Sequence, residues 1–215
     1  MRDKILDKRS QYINDLFSIN DQDIIDAHSS TSDQHQFMQL SLVEGQILQL
    51  LIQMSNVKSI VEIGTFIGYS AICMAKALPK DGHLYTIEKK LQYIHQAKEN
   101  IKKCHVSDRI TIIHGDAQEQ LASLSQFAPF DMIFIDANKS QYHCYLDWAE
   151  IYIKQNGLII ADNAFLFDSV FDNTIKISQN SYKSIINFTQ RIANKNKFLS
   201  TLIPTKEGMI IALKL

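Results

Sequence analysis

The chain has 215 residues, of which 46% are hydrophobic and 21% charged, and a formal net charge of -1. That length fits one domain, or one domain with a short extension, which buries roughly 70% of its unfolded surface without covalent staples. The balanced charge excludes a bulk pull toward nucleic acid or an anionic membrane, while leaving room for a local basic patch.

Three cysteines, Cys73, Cys104 and Cys144, stand far apart, with no C-x-x-C pair and no zinc spacing. They read as small buried hydrophobes in a reducing compartment. Residues Met1 to Ser10 are charged and lack the apolar stretch of a signal peptide. No run approaches the roughly 18–20 apolar residues of a membrane helix. A cytoplasmic protein with no membrane partner is expected.

The first 55 residues read as helical. Ile5, Leu6, Tyr12, Ile13, Leu16 and Phe17 recur at helical spacing, and a polar segment from His28 to Gln36 breaks the pattern. A second helix carries Leu42, Ile47, Leu50, Leu51 and Met54. Residues 1–36 are thus expected to form a helical extension and residues 37–215 the main domain. The period then changes. Short apolar strands are expected at Ser59–Ile63, His83–Glu88, Ile110–His114, Asp131–Asp136 and Leu158–Asp162. Helices are expected at Ser70–Leu78, Leu91–Lys103, Ala117–Leu124 and Gln141–Lys154. Strands alternating with helices define an α/β fold with a parallel sheet, because each right-handed crossover returns over one face. After a helix near Tyr182–Ala193, strands Phe198–Ile203 and Met209–Leu213 are separated by too few residues for a crossover, so they should form an antiparallel hairpin.

Candidate chemistry lies at the strand ends, where doubly wound sheets bind ligands. Gly64 and Gly68, in the turn after the first strand, let the backbone approach a ligand, although the spacing is not that of a dinucleotide site. Glu88 ends the second strand, placed either for ribose hydroxyls or for the dipole of the next helix. Asp116 is placed to receive an adenine amino group, to cap a helix, or both. Asp136 and Asp162-Asn163 end neighbouring strands. Such a cluster of oxygens is costly unless a cation binds it, and oxygen ligands favour Mg²⁺, Ca²⁺ or Mn²⁺, although acids at strand ends are also common as helix caps.

The pieces EGQIL (Glu44–Leu48), VEIGTFIGYS (Val61–Ser70), FDMIFIDA (Phe130–Ala137), GLIIADN (Gly157–Asn163) and LIPTKEGM (Leu202–Met209) belong together. From about Gln39 to Leu215 the chain resembles the metal-dependent class I S-adenosylmethionine O-methyltransferases typified by caffeoyl-coenzyme A O-methyltransferase. It is more distantly similar to catechol O-methyltransferase. The resemblance implies a Rossmann-like, doubly wound seven-stranded sheet with its last strand antiparallel and helices on both faces. It implies a homodimer. It places Glu62, Gly64, Thr65, Gly68, Ser70, Glu88, Asp116, Ala117 and Asp136 at the S-adenosylmethionine site. It gives the divalent cation, Mg²⁺ first, to Asp136, Asp162 and Asn163, and it makes Lys139 the general base beside Asp136. A cation near Lys139 would lower its pKa and suit it to that task.

Three departures bear on the acceptor. Asn138 stands where family members often carry a second acid, and Leu40 where plant members carry a threonine. Ala164-Phe165-Leu166-Phe167 replaces an aromatic-glycine pair. Phe165 and Phe167 are either walls for an aromatic ring or core residues, and Trp148 is expected in the core. The acceptor implied is a hydroxylated, catechol-like aromatic. An alternative is 5-hydroxyuridine in a tRNA wobble position, with Arg191, Lys195 and Lys197 as a basic patch. A third reading is a non-catalytic S-adenosylmethionine-binding module.

Overall fold

Alternation of side chains along the strands decides the layering. The computed structural model describes residues 8–31, 35 and 38–215. Seven strands form one sheet: β1 (Ser59–Ile63), β2 (His83–Glu88), β3 (Ile110–His114), β4 (Phe130–Ile135), β5 (Ile153–Ala161), β6 (Phe198–Ile203) and β7 (Met209–Lys214). The order is β3-β2-β1-β4-β5-β7-β6. Strands β1 to β5 pair in parallel, and β7 runs against both of its neighbours. The winding direction reverses between β1 and β4, which opens a crevice at their carboxyl ends.

Successive residues of a strand face opposite sides. Ile60, Leu84, Met132, Phe134 and Ile160 meet α3 (Leu42–Met54), α4 (Tyr69–Ala77) and α5 (Leu91–Lys103) in one core. Val61, Ile63, Ile133, Ile135 and Ile159 meet α6 (Ala117–Leu124), α7 (Tyr142–Tyr152) and α8 (Gln179–Ile192) in the other. Trp148 lies in this second core, and its indole N–H donates to the Leu121 carbonyl at 2.9 Å. Cys73 and Cys104 are buried as expected. Cys144 is only half-buried, with Sγ 3.2 Å from Nε2 of His143.

The ends of the elements differ from the sequence reading in places that have causes. β5 starts at Ile153 rather than Leu158, because the strand runs through a bulge in which Asn156 takes φ +61°. α8 starts at Gln179, where the Ser178 hydroxyl accepts from the Ser181 amide.

The amino-terminal region breaks into α1 (Lys8–Phe17) and α2 (Gln22–Ser29). Asp21 caps α2 and pairs with Lys76 of α4 at 2.8 Å, while Ile24 and Ala27 enter the first core. This part of the expected extension is therefore built into the main domain. α1 is helical as its spacing predicts, yet it buries no residue, and Tyr12, Leu16 and Phe17 stay exposed. Ile5 and Leu6 lie outside the described residues. Among the described residues, no helix is long and apolar enough to cross a membrane.

Candidate active site

The sheet ladder continues one residue past the strands. The amides of Gly64, Gly115, Asp136 and Asp162 donate to the carbonyls of Ile87, Glu88, Ile63 and Ile135 at 2.9–3.1 Å. These bonds hold the tips of β1 to β5 level, and a cavity of about 510 Å³ opens over them.

One end of the cavity is built around the turn after β1. Gly64 takes φ +100°, and a Cβ there would stand 2.0 Å from the Asp136 carbonyl oxygen, so only glycine lets the two tips close. Gly64, Thr65 and Ser70 line the cavity, with Glu88, Asp116 and Ala117 across from them. The carboxylate of Glu88 accepts from the amides of Phe66 at 2.9 Å and Lys90 at 2.8 Å, tying the glycine turn to the start of α5. Asp116 both caps α6, accepting from the Gln118 amide at 3.1 Å, and faces the cavity. The hydrogen bond from Lys89 and the one from Gln118 hold its pKa below the usual carboxylate value. Its two expected roles therefore coexist in one position.

Two residues expected to line this end do not. Gly68 is the left-handed cap of α4, packed on Ala97. Glu62 is fully buried behind the wall, where its carboxyl accepts from Ser70 and Thr86, both at 2.5 Å. Burial pushes its pKa up to about 8; the bonds from Ser70 and Thr86 oppose the rise, and the charges of Asp136 and Glu88 add to it. Glu62 thus reaches the cavity only through intermediaries, Ser70 directly and Thr65 by way of Thr86.

At the other end, Asp136 and Asp162 come together as parallel neighbours should. Asp162 is buried, and its Oδ1 has no hydrogen-bond partner. Burial and the charges of Asp136 and Glu44 push its pKa well above the normal value. Asn163 is buried beside it with φ +59°. Two carboxylates and an amide, one oxygen orphaned, are a donor set that suits a hard divalent cation. Among the described residues, no three His, Cys, Asp or Glu side chains cluster closely enough to offer an alternative.

Lys139 lies on a short 3-10 turn, Lys139–Gln141, which the Asn138 side chain caps through the Ser140 amide. Its Nζ sits 2.8 Å from Oδ1 of Asp136 and 2.9 Å from the Tyr142 hydroxyl. Burial opposes the charge of Lys139, but Asp136 and Tyr142 outweigh it, so the pKa is raised. The expected lowering belongs to the charge of a bound cation; by itself the Asp136 carboxylate, which faces Lys139 directly, favours the ammonium.

Phe167 lines the cavity at 42% exposure, whereas Phe165 packs over Gly208 and against Phe171. The two residues left open by the sequence thus part company. Leu166, Phe167 and Asp168 all take left-handed backbone (φ +48°, +56° and +65°), a run that non-glycine residues rarely adopt. Leu40 is buried against the cavity, and its carbonyl meets Nε2 of His28 at 3.1 Å. The basic patch is largely neutralised, since Arg191 pairs with Asp147 and Glu150, and Lys197 with Glu150.

Sequence reasoning missed several wall residues: Gln39, Phe66, Tyr93, Gln141 and Tyr145. Tyr145 donates to Gln141 Oε1 at 2.7 Å. Their only signal was position, just before a capping box or just after a strand tip.

Solved structures place this architecture among the methyltransferases that use S-adenosylmethionine. The chain superposes on the O-methyltransferase TomG from Streptomyces achromogenes, in complex with S-adenosylmethionine, with a TM-score of 0.86 and 28% identity over 100% of this chain and 99% of that one. An O-methyltransferase from Bacillus cereus in complex with S-adenosylhomocysteine gives 0.85 and 29%, over 95% and 96%. The family model for O-methyltransferases matches residues 17–215. A catechol O-methyltransferase from Niastella koreensis is 37% identical over 175 residues, spanning 80% of this chain and 79% of that protein. The chain belongs to the O-methyltransferase family and is an S-adenosylmethionine-dependent enzyme.

Proposed function

We propose that the enzyme methylates one hydroxyl of a catechol-like aromatic acceptor and that it requires a divalent cation, Mg²⁺ first, with Mn²⁺ or Ca²⁺ as alternatives. The observation that carries this reading is the orphaned, buried carboxylate oxygen of Asp162 beside the Asp136–Lys139 pair, on the wall of a cavity large enough for cofactor and acceptor. The catechol O-methyltransferase similarity supports the acceptor class.

Asp136, Asp162 and Asn163 would hold the cation, whose charge favours the ionised form of an acceptor hydroxyl. Gly64, Thr65, Ser70, Glu88, Asp116 and Ala117 would hold the cofactor, and Phe167 would lie against the acceptor ring. Beside the cation's charge Lys139 would shift from ammonium toward the neutral amine, whose Nζ would then take the acceptor's proton. S-adenosylmethionine would supply the methyl group: the acceptor oxygen would bond to the sulfonium methyl carbon as the carbon–sulfur bond breaks, leaving a neutral thioether. Holding oxygen and methyl at contact distance supplies much of the acceleration. A homodimer belongs to the same proposal, supported by the exposed apolar side chains of α1, and sedimentation equilibrium tests it.

The deciding experiment is methyl transfer from labelled S-adenosylmethionine to a catechol panel and to unmodified tRNA, with Mg²⁺ and with chelator. Metal-dependent labelling of a catechol, lost in Asp136→Ala and Asp162→Ala, is expected. Labelling of tRNA alone would overturn the acceptor class, and undiminished turnover in chelator would overturn the metal. Cofactor binding without transfer to either acceptor would favour the non-catalytic module.

A further inference from the structure

The hydroxyl of Tyr142 joins the groups at the chemical end, and nothing above gives it a task. Tyr142 is buried, its ring fixed edge-on against Phe188 and beside Tyr145. Its oxygen accepts from Nζ of Lys139 at 2.9 Å. Its single proton is directed at two backbone carbonyls, that of Asp162 at 3.1 Å and that of Ile135 at 3.3 Å. One atom therefore touches the tip of β4, the tip of β5 and the lysine.

A phenol has one proton to donate and lone pairs to accept with. Because the carbonyls fix where the proton goes, they also fix which side of the oxygen faces Lys139. The ammonium has three N–H groups. One goes to Asp136 and one to Tyr142, at 2.8 and 2.9 Å, and Lys139 also borders the cavity, where the third position, a lone pair once that proton is lost, can point. A core tyrosine with no further role would be satisfied by the carbonyls alone.

We infer that Tyr142 is a positioning residue that anchors Nζ of Lys139 between Asp136 and the cavity and so aims it at the acceptor hydroxyl. The inference rests on the reading that Lys139 handles the acceptor's proton. Tyr142→Phe keeps the ring and its packing and removes only the oxygen.

The test is a double-mutant cycle. Single-turnover methyl transfer to a catechol is measured in the wild type, Tyr142→Phe, Lys139→Met and the double variant, together with affinity for S-adenosylmethionine, melting temperature and a crystal structure of metal-free Tyr142→Phe. Tyr142→Phe should lower the rate on the order of 10- to 100-fold, as misplacement by about an ångström does, with cofactor affinity unchanged. That loss should vanish in the Lys139→Met background, because residues acting as one unit are not additive. The crystal structure should show Nζ withdrawn from its place beside Asp136. An equal fold-loss in both backgrounds, or an unmoved Nζ with an unchanged rate, overturns the inference. Full activity in Lys139→Met overturns the role of Lys139 itself, and the position of Nζ in the crystal then still decides whether Tyr142 anchors it.

Discussion

Replacing Asp162 by asparagine should make the metal-free protein more stable and the enzyme inactive. Asp162 is 4% exposed, one of its oxygens lacks a partner, and Asp136 and Glu44 add repulsion. Asparagine has nearly the same shape, carries no charge and offers N–H groups toward the acidic neighbours. Relieving a buried, unsatisfied carboxylate is worth roughly 1–3 kcal/mol. For a chain of this size each kcal/mol moves the melting temperature by about 2–4 °C, so the variant should melt about 2–12 °C higher in chelator. Excess Mg²⁺ should reverse the ranking, since a ligand at about a thousand times its Kd adds about 4.1 kcal/mol to the form that binds it. Calorimetry of both proteins, in chelator and in Mg²⁺, reads all four values. A variant that melts lower in chelator, or a wild type indifferent to Mg²⁺, would refute the reasoning.

Gly64→Ala should cost roughly 1–3 kcal/mol from the clash with the Asp136 carbonyl and about 1–2 kcal/mol more from left-handed backbone; urea unfolding measures the sum, and cofactor affinity should fall with it. Glu62 has a folded pKa raised to about 8 from 4.5, so the native state binds the extra proton. Its contribution to stability is therefore full below pH 4.5 and is lost as pH rises toward 8, with a limiting slope of about 1.4 kcal/mol per pH unit. Denaturation of Glu62→Gln across that window should show a flatter profile than the wild type, and matching slopes would argue against the assignment. Phe167→Ala should raise the KM for a catechol roughly 2- to 10-fold, the worth of one aromatic contact. Cofactor affinity and melting temperature should stay put, because the ring is 42% exposed.

What the sequence showed and what it hid follow from the same physics. Strands β1 to β4 were legible to within a residue, and β1 and β4 most plainly, because a strand covered on both faces is nearly continuous in apolar residues. The meeting of Asp136 with Asp162 was legible because parallel neighbours share one end. The place of β7 was not. A hairpin can join a sheet through either strand, and nothing in the pattern of Phe198–Ile203 or Met209–Lys214 says which docks on β5. α1 showed the converse: its periodicity announces a helix but not what, if anything, covers it. Tyr142 carries no signal of its own in the sequence, and only the fold shows that its oxygen reaches Lys139. The pairing of Lys139 with Asp136 was hidden too, since it depends on where the Asp136 carboxylate points.

The position of β7 also sets the order in which the molecule can be completed. Synthesis proceeds from the amino terminus, and domains tend to fold in that direction. Until β7 emerges, β5 is an open edge and β6 has no neighbour, because β7 bridges the two. The loop after β5 waits as well: the amides of Ala164 and Phe165 donate to the carbonyls of Gly208 and Glu207, at the threshold of β7. A chain cut before β7 would carry its glycine turn, Asp136 and Asp162, yet keep an open sheet and an untethered loop. One strand, β7, closes both.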